Sequence, residues 1–231
     1  KSRDGFMARE KGGLDANRIA TDPAFQRTRE NGAEFGRAGK AGKMLRTALR
    51  SQLQHISDGR MIARLTREMV KVIKADAVNP RGLRNVIDGE AALLQGFEFN
   101  ANSKLSTTLF APYSFTLNRV TGELAVSINP FVPVNMIAAP AGATHFKILS
   151  AGVAIDFENE VYVVQTQETA ALPWDATATA ALTLTNTVTA NSTHPLFLSL
   201  GIAFYQEVNG TLYTLKNGAF NAMALIGVDG E

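Results

Sequence analysis

The chain has 231 residues, 45% hydrophobic, 19% charged and 8% aromatic, which excludes collagen-like, disulfide-knot and fully disordered architectures. No run of ~20 apolar residues is available to span a bilayer as a helix, and the absence of cysteine removes disulfides, thiolate metal sites and a cysteine nucleophile. The net charge of +2 conceals a division: residues 1–86 hold 19 of the 23 Lys and Arg and 9 of the 21 acids, giving +10, whereas residues 87–231 hold 4 and 12, giving −8. Such a split predicts two modules.

The first 21 residues read as an extended arm. Asp4-Gly5 marks a turn and Phe6-Met7-Ala8-Arg9 a strand, as in the second half of a hairpin whose partner lies upstream of Lys1. So few apolar residues do not order themselves, so the arm is expected to be held by neighbouring subunits.

Residues 22–86 form the basic, helical module. Asp22-Pro23 supplies an N-cap and a proline whose fixed φ suits the first helical position. From Phe25 the pattern runs toward Leu53 through Gly32, Gly36, Gly39 and Gly42, each costing ~1 kcal/mol relative to alanine inside a helix. Either one helix presents a glycine groove for close backbone approach, or two shorter helices meet at a glycine-rich turn near 31–43. The next helix is clearer: after a cap at Ser57 or Asp58, Met61, Ile62, Leu65, Met69, Val72 and Ile73 make one apolar stripe, with Arg60, Arg64, Arg67, Lys71 and Lys74 largely opposite. Asn79-Pro80 and Gly82 end it.

Residues 87–231 change to short β-type runs. Phe97 and Phe99 open the module. Runs 113–120 and 124–128 flank Thr121-Gly122, and runs 145–155 and 161–166 flank Glu158-Asn159-Glu160. Runs 198–208 and 211–215 flank Asn209-Gly210, a dipeptide suited to a type I′ turn, and residues 220–228 supply a last strand. The fold class expected is α+β: a basic helical module followed by an acidic antiparallel β-sandwich of jelly-roll or immunoglobulin-like connectivity. Between 177 and 189 threonines alternate with apolar residues, predicting a strand with an exposed threonine face.

Parts for chemistry are sparse. There is no phosphate loop, dinucleotide fingerprint, nucleophile elbow or paired-histidine zinc motif, and Gly36 to Lys43 lacks the hydroxyl residue and preceding strand of a phosphate cradle. Asn191-Ser192-Thr193 matches a glycosylation acceptor by chance. Asp156, Glu158 and Glu160 read as a solvated acidic edge before a cation site. His145 and His194 sit at strand ends, scattered from any nucleophile, so no active site, metal or cofactor is expected. A hydrolytic or carbohydrate-binding sandwich would need an aromatic platform around Trp174 and Tyr113.

The run Asp4 to Gly13 (DGFMAREKGG) and the run Asp22 to Lys43 (DPAFQRTRENGAEFGRAGKAGK) resemble a family of uncharacterised proteins from Bacteroidota genomes, and the resemblance extends along the chain. It implies a bacterial origin and an upstream glycine-rich segment and strand, of which Lys1 would be the final residue. It implies no activity.

The expected function is structural: a self-assembling subunit of a bacterial filament, tube or virion-like assembly, with itself as partner and an extracellular or cell-surface address. The alternative is a nucleic-acid-associated protein. In either case Arg27, Arg29, Arg37, Lys40, Lys43, Arg46 and Arg50 are the contact candidates.

Overall fold

A computed structural model describes residues 13, 15–56 and 58–230. The turn at Asp4-Gly5, the strand after it and the cap at Ser57 lie outside the described residues. Helix α1 (Ala16–Thr21) occupies the end of the segment expected to be extended, which corrects that expectation for residues 16–21. Partners at both ends sustain this short helix: Asp15 accepts from Asn17 N, and Arg29 Nη1 donates to Ile19 O at 2.7 Å and to Asp22 O at 2.9 Å.

The second helix starts where Asp22-Pro23 places it. Asp22 Oδ1 accepts from Ala24 N at 2.9 Å, Pro23–Phe25 makes a 3₁₀ turn, and α2 (Gln26–Ala48) continues without a break through all four glycines. The glycine turn is therefore absent, and the groove is mostly absent too. An added Cβ at Gly42 would meet Leu65 and Met69 at 3.6–3.7 Å, whereas Gly32, Gly36 and Gly39 have nothing within 4 Å. A single turn, α3 (Arg50–Leu53), leads to α4 (Met61–Lys74). Asp58 Oδ1 accepts from Arg60 N before that helix. Leu65, Met69, Val72 and Ile73 are buried as the stripe predicts, but Ile62 is exposed. Short helices α5 (Leu105–Thr108) and α6 (Pro133–Met136) follow.

Asp76 organises the loop after α4. Its Oδ1 accepts from Val78 N and Asn79 N, and its Oδ2 from Asn79 Nδ2 and Asn85 N. Burial opposes ionisation of this carboxyl, but the Asn79 amide and side chain and the Asn85 and Val78 amides outweigh it and hold the pKa at about 2.

Among the described residues nine strands make two antiparallel sheets. Strands β1 (Tyr113–Asn118), β2 (Glu123–Ile128) and β6 (Leu182–Thr187) form the smaller, in the order β1-β2-β6. The larger is built on β3 (His145–Asp156) and β7 (Leu196–Val208). Outside β3 lie β4 (Val161–Glu168) and β5 (Leu172–Pro173); outside β7 lie β8 (Thr211–Thr214) and β9 (Ala222–Asp229). The Asn209-Gly210 turn has φ of 52° and 77°, as a type I′ turn requires.

The central strands alternate between two cores. Phe146, Ile148 and Ala154 of β3 with Leu196, Leu198, Leu200, Ile202 and Phe204 of β7 face the smaller sheet. Ala151, Val153, Ile155 and Phe197 face the opposite way, onto Leu45, Leu49, Leu65, Met69 and Ile73 of the helical layer. The two charge modules thus share one apolar core. Among the described residues a single ion pair joins residues 1–86 to the rest, Lys40 Nζ to Glu160 Oε1 at 2.5 Å.

The threonine row is a strand only over β6, where Thr183, Thr185 and Thr187 are exposed. In phase with its buried leucines stands Asn186, fully buried, which donates to Ser150 Oγ at 2.7 Å across the two sheets. Its neighbour Gly152 is a necessity: an added Cβ would come within 2.7 Å of Asn186 Cβ.

Glycine substitutions should therefore split by sign. Gly36→Ala and Gly39→Ala should each stabilise by ~0.5–1 kcal/mol, whereas Gly152→Ala should destabilise by ~1–3 kcal/mol; urea unfolding reads both. Acid titration tests Asp76. A carboxylate whose folded pKa is depressed contributes stability that is complete above its unfolded value of ~3.9 and is lost as pH falls through the folded value. Stability should fall between pH 4 and about 2, and less steeply in Asp76→Asn.

Candidate functional site

One edge of the larger sheet, at β4, is unprotected. This strand pairs with β3 from Leu149↔Glu168 to Asp156↔Val161, and no backbone hydrogen bond reaches its other side among the described residues. Val161, Tyr162, Val163 and Val164 follow one another along it, each between 37% and 57% exposed. Register places Tyr162 and Val164 opposite Ile155 and Val153, on the helical side, and Val161 and Val163 opposite Asp156 and Ala154, on the side of the smaller sheet. Val161 to Val164 are left partly in water, whereas Gln165 Oε1 accepts from Thr187 N of β6.

A cavity of about 390 Å³ opens beside this edge. Ala154, Val161 and Val163 give it an apolar wall, and Asp156, Asn191, Ser192 and His194 give it a polar one. Asp156 Oδ1 accepts from Glu158 N and Asn159 N and its Oδ2 from Asn159 Nδ2 at 2.7 Å. The Asn159 amide and side chain lead in holding this carboxyl below the usual carboxylate range, with the Glu158 amide adding to them against burial. His194 Nε2 stands 3.6 Å from Asp156 Oδ2.

That pairing, with Asp156 buried, corrects the reading of Asp156 as part of a solvated acidic edge. The β3–β7 ladder ends at Ala154↔Leu196, so continuing it by two residues sets Asp156 opposite His194, a consequence of tertiary register that no local spacing discloses. Ser192 lies in the same wall, but its Oγ accepts from the His194 backbone N at 3.2 Å, and no hydrogen bond joins it to the imidazole among the described residues. The other groups remain apart. His145 Nε2 faces Glu207 Oε2 at 3.5 Å, and Glu160 is taken by Lys40. Among the described residues no three His, Asp or Glu side chains converge for a metal, and no helix is long and apolar enough to cross a membrane. Trp174 packs against the core between the sheets and donates to Ile137 O at 3.4 Å, so it makes no exposed platform.

Arg119 holds the wall from behind. It donates from Nη1 to Ser192 O at 2.6 Å and His194 O at 2.9 Å, and pairs with Asp229 Oδ2 at 3.0 Å. Sequence reasoning missed it because its partners lie 73 to 110 residues away.

At the far side of the same sheet the β7–β8 hairpin stands out from the body. Val208, Leu212 and Tyr213 are exposed on it, and all four residues of β8 are exposed. The other outer strand there, β9, is covered: Gly96 N and Phe99 N donate to Leu225 O and Met223 O, and Leu225 N to Phe97 O.

The seven cations singled out above divide. Arg29 closes α1, Arg37 donates to Arg84 O at 2.6 Å and to Gly82 O, and Lys40 meets Glu160. These three are committed inside the chain. Arg27, Lys43 and Arg50 are exposed and Arg46 is half-buried, with no side-chain hydrogen bond or ion pair among the described residues.

Comparison with known proteins finds no matching family model, no similar curated protein and no similar solved structure.

Arg119→Ala should lower stability by ~1–3 kcal/mol, since it strips donors from two partly buried carbonyls. Hydrogen exchange should show Asn191–His194 opening more readily, with Arg119→Lys in between.

Proposed function

We propose that the protein is a structural subunit that assembles with copies of itself into a filament, tube or virion-like assembly, and that it is not an enzyme. One observation carries this: four consecutive exposed apolar residues on β4, a strand with one free edge. An open apolar edge is a template for another strand, and proteins that stay monomeric blunt it. The strand order supports immunoglobulin-like connectivity for the two sheets. Consecutive strands pair within a sheet, and β1-β2-β6 facing β4-β3-β7-β8 or β9 follows the A-B-E and C′-C-F-G arrangement of such sandwiches.

A second class, nucleic-acid association, is favoured by one feature. Lys43, Arg46 and Arg50 recur at i, i+3 and i+7 without acidic partners, the spacing of one helical face available for phosphates.

Light scattering and negative-stain electron microscopy over a concentration series separate the two. Self-assembly should give species larger than a monomer that persist in molar salt, because an apolar edge is little screened. Val163→Lys should weaken association by at least ~10-fold while circular dichroism is unchanged. A monomer at every concentration that binds a fluorescent duplex with a linear log–log salt slope would replace self-assembly with phosphate binding.

A further inference from the structure

Resting on the self-assembly proposed above, we infer that the contact is heterologous: the β7–β8 hairpin of one copy adds to the β4 edge of the next, and Tyr213 enters the cavity beside Asp156 and His194. The occupant of each edge is thus a second copy of this chain.

Strand direction is the first ground. The larger sheet runs β4, β3, β7, β8 across, and every adjacent pair is antiparallel. With an even number of alternating strands, β4 and β8 point in opposite directions. β4 lies level with β7 residues 194–201 and β8 with β7 residues 205–208, so a copy moved sideways and about ten residues along the strand axis, without being turned over, brings its β4 antiparallel to β8 of its neighbour. The sheet continues, and no strand has to reverse.

Side-chain facing is the second. Tyr213 pairs with Gln206, which has the parity of Leu200, Ile202 and Phe204 and so belongs to the face toward the smaller sheet. Val161, Val163 and Ala154, the apolar wall of the cavity, lie on that same face. A translated copy keeps its faces, so the aromatic ring arrives on the side where the cavity opens. Tyr213 is 56% exposed in its own chain, and the cavity of about 390 Å³ has room for a phenol ring. The ionised Asp156 carboxylate can accept from the phenolic O–H, which answers the usual need of a buried tyrosine for a partner.

Area is the third. From their fractional exposures, Val161 to Val164 with Val208, Leu212 and Tyr213 offer roughly 650 Å² of surface, the size of a weak single contact beside the ~1,000 Å² of a specific interface. A contact of that size is modest when single. Because the edges are different and lie on opposite sides, each added copy presents a fresh edge, and growth is open-ended.

The lack of cysteine makes the test direct. Val163→Cys and Thr211→Cys, which lie on the same face of the sheet, are prepared as separate single variants at exposed positions and treated with a short bis-maleimide, alone and mixed. The expected result is a covalent dimer in the mixture and little in either variant alone. Tyr213→Ser should weaken association by ~10-fold, and Tyr213→Phe by less. Cross-linking of Val163→Cys alone would mean that β4 pairs with β4, and assembly by light scattering without any cross-link would mean that other surfaces meet. Either result overturns the heterologous contact and leaves self-assembly standing. A wild-type chain that stays monomeric at every concentration overturns both.

Discussion

The long antiparallel pair of β3 and β7 is the constraint on which the rest depends. Ten residue pairs, His145↔Tyr205 to Ala154↔Leu196, run without a bulge, and most of both strands is buried on both faces. A strand buried on both sides must have an apolar layer on each, which is why the chain needs a helical layer and a second sheet at once. Small residues make it possible for those layers to approach. Gly152 leaves room for Asn186, whose Nδ2 donates to Ser150 Oγ at 2.7 Å, and Ser199 Oγ donates to Gln52 Oε1 at 3.0 Å. One polar bridge thus crosses each apolar layer and fixes its register against a sliding alternative.

Local signals were the legible ones. The α4 stripe, the Asp22-Pro23 start and the Asn209-Gly210 turn depend on neighbours within a few residues, and the structure has all three. Where long-range packing decides, the sequence was less readable. Ile62 is apolar at the right spacing yet exposed. Arg64, expected on the polar side, is drawn inward: it donates to Glu98 O at 2.7 Å, pairs with Asp58 at 2.5 Å and lies 5.1 Å over the Phe97 ring. Asn186 interrupts the apolar phase of its strand for a partner 36 residues away. The candidate site is of this second kind, since Asp156 and His194 meet through register alone.

The charge division turned out to act differently from the two-module picture. Guanidinium groups of the basic layer spend their donors on carbonyls at element ends: Arg29 on Ile19 and Asp22, Arg37 on Gly82 and Arg84, Arg64 on Glu98 and Phe99. Five donors in a fixed fork suit that task better than a lysine ammonium does. What binds the basic layer to the acidic sheet is apolar burial, with Lys40–Glu160 at the rim. An exposed pair of that sort contributes little. The charges left over on α2 and α3 therefore belong to the surface.

How the chain treats its sheet edges is itself informative. The outer side of β9 is covered by residues 96–99, which donate and accept along it. The lower half of β3 is covered by β5, at His145↔Pro173 and Phe146↔Leu172. In β4, by contrast, the sequence Val-Tyr-Val-Val-Gln-Thr-Gln-Glu contains no proline and no lysine, and the β3–β4 ladder has no bulge, so the usual devices against edge pairing are missing. Instead the charges stand at its two ends, Glu160 before it and Glu168 at its close, the latter held by Lys147 at 2.6 Å. The first half of the strand, Val161 to Val164, is apolar and the second half, Gln165 to Glu168, is polar, and no backbone hydrogen bond reaches the outer side of either among the described residues. The same fold that hides one edge of β9 has left this one in water.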